Sequence, residues 1–213
     1  MVGQRPGWVQ AVAERLHPLD PIWPPMSPGG RPAAVLALLS DAADPDLVLT
    51  LRSTELSHQP GQMALPGGGQ EPVDRSPVET ATRETTEEIG LPGQYIHPLG
   101  QLPMPARPVN RNLVVPVVAW WPGDIGLGPI DPAEVAAVVR WPVAQLADPA
   151  CRRTARHPGG GTGPAWQVGG LFLWGFTASL VDALLRLAGW TQPWDETVVV
   201  EVPAQFRSDR RRV

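Results

Sequence analysis

Three glutamates, Glu84, Glu87 and Glu88, stand three and four residues apart in the run Arg83-Glu84-Thr85-Thr86-Glu87-Glu88-Ile89-Gly90-Leu91. On an α-helix, at roughly 100° per residue, that spacing gathers them on one face. One reading is a solvated charge run, the ordinary fate of clustered glutamates. Their position weighs against it. The carboxylates crowd the C-terminal half of the element, at the negative end of the helix dipole, and each like-charge pair costs roughly a few tenths of a kcal/mol. Only Arg83 offsets them within the run. A hard divalent cation turns that penalty into a binding site, and magnesium takes few carboxylates while leaving room for water and a substrate phosphate.

The elements that must position these groups carry their own signals. Ser76 is a good N-cap, Pro77 fits the first helical position, and Glu79 three residues after the cap completes a capping box. Gly90 supplies a left-handed stop. The spacing therefore predicts a helix of about 14 residues. Val78, Thr82, Thr85, Thr86 and Ile89 form the stripe expected to lie against a sheet. Upstream, Leu65-Pro66-Gly67-Gly68-Gly69 reads as a tight loop.

From Gly68 to Leu91 the chain resembles the Nudix box: a Gly, an acidic residue six positions on, then Arg-Glu-x-x-Glu-Glu-x-Gly-hydrophobic. Gly68, Asp74, Arg83, Glu84, Glu87, Glu88, Gly90 and Leu91 fill those positions. The early acidic residue is Asp74 rather than Glu, one extra residue separates it from Arg83, and Thr85 stands where the family favours an aliphatic side chain. Residues 48–68 are similar to the additional motif of the coenzyme A pyrophosphatase branch, matching it at Arg52, Ser53, Leu56, Gly61, Gln62, Pro66, Gly67 and Gly68, with Leu65 in place of Phe and His58 one position early. Phe172-Leu173-Trp174-Gly175-Phe176-Thr177-Ala178 resembles that branch's C-terminal element. The resemblance spans about residues 33–188.

The resemblance implies a Nudix fold of class α/β, a mixed β-sheet in an α/β/α sandwich, and hydrolysis of a phosphate anhydride. It assigns magnesium, with manganese as a substitute, to Glu84, Glu87, Glu88 and the carbonyl of Gly67. Arg83 is either a structural helix charge or the group that orients the glutamates. The general base is Glu87 or, from a later loop, Glu134. Arg52, Arg107 and Arg111 are candidate phosphate contacts, since guanidinium pairs well with phosphate oxygens. Trp120, Trp121 and Trp174 read as core or interface residues before adenine platforms, and His58 as a solvated loop residue or a ligand.

The implied substrate is coenzyme A or an acyl thioester of it, a small nucleoside diphosphate-linked molecule. The alternatives are an ADP-ribose or dinucleotide pyrophosphatase, a nucleotide-sanitising hydrolase and, outside enzymes, a Nudix-fold ligand sensor, although sensors commonly lose box glutamates and all three are present.

Composition narrows the remaining classes. A net charge of −4 implies no general affinity for nucleic acid or anionic membranes. All 17 basic residues are Arg. A single cysteine, Cys151, excludes an internal disulfide and fits a reducing cytoplasm. No signal peptide, apolar span or peroxisomal tripeptide is evident. At 213 residues and 43% hydrophobic, one domain with a sizeable core is expected. Its bounds are 33–203, after an N-terminal helix and proline-rich connector over 1–32 and before a basic tail over 204–213. A homodimer is compatible with these features. Strands are expected over 33–39, 47–52, 113–120, 134–140 and 197–202, a Gly and Pro loop over 156–164, and a long helix over 171–187.

Overall fold

The computed structural model describes residues 6–23, 30–103, 108–109 and 112–207. A short helix α1 (Gly7–Ala13) leads to the strands β1 (Arg31–Ser40) and β2 (Asp46–Arg52). The short strands β3 (Met63–Ala64) and β4 (Gly67–Gly69) follow, then helix α2 (Pro77–Ile89). β5 (His97–Gln101), β6 (Pro108–Val109), β7 (Asn112–Trp121) and β8 (Val135–Pro142) complete the first sheet. Its central pair, β1 with β7, is parallel, whereas β1 with β2, β1 with β4, β2 with β8 and β5 with β7 are antiparallel, so the sheet is mixed.

The period-2 alternation of a strand sorts the core into two layers. On β1, Ala34, Leu36 and Leu38 face α2 together with Val117, Ala119 and Trp121 of β7, Ala81 and Ile89 of α2, and Leu91 just beyond it. Ala37 and Leu39 of β1 and Val118 of β7 face the other way, onto Val12 of α1 and onto Leu180, Val181, Leu184 and Leu185 of the last helix, α4 (Gly175–Ala188). The sheet is thus covered on both faces, as the expected α/β/α sandwich requires. Among the described residues no helix is long and apolar enough to cross a membrane.

Residues 143–206 depart from the sequence expectation. After a one-turn helix α3 (Val143–Ala147), a second sheet forms from β9 (Arg152–Arg156), β10 (Thr162–Val168), β11 (Leu171–Leu173) and β12 (Val199–Glu201), in the order β11-β10-β9-β12. The stretch 156–164 is therefore a hairpin. Only residues 157–161 turn, with Gly160 and Gly161 at φ of 93° and 78°. Pro164 argues against an interior strand, yet β10 runs through it, paired with Thr154. The final helix likewise begins at Gly175 rather than 171, because Leu171–Leu173 pairs with β10.

Arg152 ties this layer together. Its side chain is fully buried, it pairs with Asp182 of α4, and its guanidinium lies over the rings of Trp166 and Trp194 at 4.7 and 4.6 Å. Asp182 also accepts a hydrogen bond from Arg186 Nε at 2.7 Å.

Candidate active site

Local sequence builds α2 as expected. Ser76 Oγ accepts from Glu79 N at 3.3 Å, and Gly90 closes the helix at φ 74°. Glu79 reaches one residue further back than a capping box requires, accepting from Arg75 N at 2.7 Å. Thr85 stands in an aliphatic position and is fully buried; its hydroxyl donates to Ala81 O at 2.7 Å, which leaves its methyl to pack. The buried stripe is centred differently from the expectation. Thr80 and Ala81 belong to it, whereas Thr82 and Thr86 are half-buried at its margin.

Glu88 belongs to that buried stripe as well. The three glutamates do not present one uniform face: they sweep about 100° of the helix circumference. Glu88 is only 8% exposed, the Glu84 side chain 18%, and the Glu87 side chain 58%. The cause is β4, which crosses over the helix and pairs with β1. A Cβ on Gly68 would fall 2.5 Å from the Glu84 carboxyl carbon, and one on Gly67, whose φ is 150°, would fall 2.3 Å from Ala34 O. Glycine at both positions lets backbone pass directly over the carboxylates and against β1.

Arg83 is the hub of the cluster. Its Nε and Nη2 donate to the Asp74 carboxylate, Nη2 at 2.9 Å. Nη2 also donates to Glu84 Oε1 at 3.0 Å and Gly69 O at 2.9 Å, and Nη1 donates to Glu87 Oε2 at 2.9 Å. Asp74 is buried and accepts from Glu71 N and Thr80 Oγ1, each at 2.9 Å. Burial alone would raise the Asp74 pKa, but the hydrogen bonds from Arg83, Glu71 and Thr80 bring it below the usual carboxylate range. Asp74, which fills the early acidic position of the box, thus anchors Arg83.

Glu88 behaves oppositely. Burial pushes its pKa up to about 7, the charges of Glu84 and Glu134 add to the rise, and the Gly67 N–H, which donates to its Oε2 at 3.2 Å, and the Arg52 charge oppose it. Glu84 is raised too, first by burial. Among the described residues no three His, Cys, Asp or Glu side chains already converge as ion ligands. The donor set nevertheless fits a hard divalent ion, being all oxygen, with a buried carboxylate whose charge is costly. Gly67 touches the cluster through its N–H; the sequence expectation concerned its carbonyl.

Glu134 is exposed, follows the loop after β7, and accepts from Ser53 N through its backbone oxygen at 2.9 Å. Its charge falls on both Glu84 and Glu88. Arg52, at the end of β2, lines a cavity of about 390 Å³ beside the glycine strand, and its Nε is buried without a hydrogen-bond partner. Further walls of this cavity are Gln59 and Gln62 from the upstream motif, and Trp174, Phe176 and Thr177 from the start of α4. Gln59 lies at φ 51°, a strained conformation for a residue other than glycine. Trp174 is a cavity wall with an unpartnered Nε1, whereas Trp121 is core and Trp120 stacks on His97 at 4.3 Å. His58 is exposed and is not among the lining residues. Arg107 and Arg111 lie outside the described residues.

The fold and this helix define a class. A NUDIX domain family model matches residues 30–158, and the chain belongs to the Nudix family of hydrolases, acting on diphosphate bonds. Among its relatives is a protein of Enterobacter sp. strain 638 named uncharacterized Nudix hydrolase NudL, 34% identical over 75% of this chain and 83% of that one. The NudL of Photorhabdus laumondii is 39% identical over 56% of this chain and 63% of its own length. A solved Nudix hydrolase of M. smegmatis, RenU, is 24% identical and covers 58% of this chain and 81% of its own, with a TM-score of 0.46.

Two outcomes follow from the electrostatics. Replacing Asp74 with Asn removes the anchor of Arg83 and is expected to lower stability by about 1.5–3 kcal/mol, measured by urea unfolding. For Glu88, the folded-state pKa lies above its ordinary 4.5. In metal-free protein its contribution to stability is therefore complete below pH 4.5 and lost as pH rises through about 7. Glu88→Gln keeps an acceptor for Gly67 N–H, and in a chelator it is expected to melt above the wild type at pH 8 but not at pH 4.5. The gain is on the order of 3 kcal/mol at most. Magnesium should raise the wild-type melting temperature more than that of the variant, checked by calorimetry.

Proposed function

We propose that this chain is a magnesium-dependent pyrophosphohydrolase that cleaves coenzyme A or acyl-coenzyme A into adenosine 3′,5′-bisphosphate and 4′-phosphopantetheine or its acyl form. The observation that carries the reading is the cavity beside the glycine strand. Its walls include Arg52, Gln62, Gly67 and Gly68 of the coenzyme A-type motif and Trp174 to Thr177 of the C-terminal element, and the same glycines touch the carboxylate cluster.

Glu84, Glu87, Glu88 and the Gly67 carbonyl are the groups to hold magnesium, or manganese in its place. The ion supplies charge neutralisation on nonbridging phosphate oxygens when bound. The chain's own residues do the rest. Arg83, fixed by Asp74, orients Glu84 and Glu87. Arg52, with a free buried N–H, is a phosphate contact, and Arg107 and Arg111 are further candidates. Water adds to phosphorus, the anhydride P–O bond breaks, and the water proton passes to a carboxylate. Glu87 is the favoured base because it is the most exposed of the three box glutamates; Glu134, which faces the same cluster electrostatically, is the alternative.

A panel of coenzyme A, ADP-ribose, NADH and 8-oxo-dGTP, assayed with and without magnesium, tests the substrate. Coenzyme A is expected to turn over fastest and only with the ion; ADP-ribose turnover well above it would overturn the reading. Glu87→Gln is expected to lose about 10²–10⁴-fold in kcat. Undiminished activity removes Glu87 from catalysis.

A further inference from the structure

A second cavity, of about 560 Å³, adjoins the first, and Arg52 and Met63 line both. Its walls come from distant parts of the chain: Leu51 and Pro60 from β2 and the following loop, Ala136 from β8, Leu171 and Phe172 from β11, and Phe206 from the short turn Ala204–Phe206. The turn is held there. Gln62 Nε2 donates to Phe206 O at 3.2 Å, the Phe206 ring stacks on that of Phe172 at 6.4 Å and 3°, and a Cβ on Gly61 would sit 3.4 Å from it. Three polar side chains, Arg52, Thr54 and Gln205, interrupt apolar walls.

The two cavities differ in chemistry. The first is walled in part by glycine backbone, Gln59, Gln62 and Thr177, suited to a diphosphate and its nucleoside. The second is walled mainly by aliphatic and aromatic carbon with a few amide- or hydroxyl-bearing groups, suited to an aliphatic chain that carries amides. Of the two residues they share, one is the arginine whose buried Nε has no partner and whose charge acts on Glu88. A molecule with its diphosphate at Arg52 is within reach of both cavities.

Resting on the reading above, we propose that the second cavity binds the amide-bearing aliphatic arm of the substrate. Phe206 and the turn that carries it are specificity determinants, closing the subsite from the C-terminal end of the described chain. An arm of ribose, richer in hydroxyl groups, desolvates poorly against these walls, and the cavity therefore selects a pantetheine-type arm over a sugar.

Ala136 is exposed, so Ala136→Trp fills the cavity without disturbing the core. The variant is expected to raise KM for coenzyme A about tenfold. The inhibition constant of 4′-phosphopantetheine should rise in parallel, while that of adenosine 3′,5′-bisphosphate stays within about twofold. Phe206→Ala should shift the same two quantities in the same direction, and Phe206→Leu should recover part of the loss. If coenzyme A is turned over but Ala136→Trp leaves the 4′-phosphopantetheine constant unchanged, or raises both inhibition constants equally, the arm is bound elsewhere and the proposal falls. If the wild type prefers ADP-ribose, the functional reading fails first and takes the subsite with it.

Discussion

A buried carboxylate, Asp74, holds one guanidinium, Arg83, and that pair sets the geometry of everything around it. Without Asp74, Arg83 would be free to satisfy itself on Glu84 and Glu87 in several ways. With it, the guanidinium plane is fixed, and its remaining N–H groups reach Gly69 O and the two glutamates in one arrangement. The interaction also links three separate pieces of chain: the glycine strand, the turn before α2, and the helix itself. Planar, multidentate donation is what a lysine could not supply at this position.

Against that fixed frame, the box glutamates occupy three environments. Glu88 sits under the glycine strand, where charge is expensive, Glu84 at the boundary, and Glu87 in water. A row of three identical side chains is thereby differentiated by burial, from Glu88 under backbone to Glu87 at the surface, where it accepts a hydrogen bond from Arg83. Burial that penalises Glu88 without an ion is, by linkage, also what makes cation binding release the strain.

Much of this was readable from local signals. Ser76, Pro77 and Gly90 delimit α2 because caps depend on neighbours in sequence, and the apolar runs at 33–39, 47–52 and 113–120 announce the central strands by their continuity. What was not readable depends on contacts between distant segments. Nothing in residues 83–91 shows that Glu88 is covered, since the cover is β4, and the register that brings it there is set against β1. Asp74 departs from the box pattern in residue type and spacing, and its role emerges only from its contact with Arg83, nine residues on across a turn. The second sheet was hidden by Pro164 and by glycines that mark its turn rather than its strands. The turn Ala204–Phe206 was the least accessible, for it meets Gln62 from 144 residues away.

Arg152 has no part in the chemistry, yet it bears on how the cleft moves. A fully buried guanidinium, paired with Asp182 and resting on two indole rings, cannot lose one partner cheaply; stranding such a charge costs about 3–5 kcal/mol. Arg152 therefore couples the second sheet to α4, and the two are expected to exchange amide hydrogens as one cooperative unit. Trp174 is the one residue between β11 and α4, and Phe176 lies in the first turn of α4, so both belong to that unit. The cavity wall formed by Trp174 and Phe176 is thus tied to the layer behind it, and what loosens Arg152 also loosens that wall.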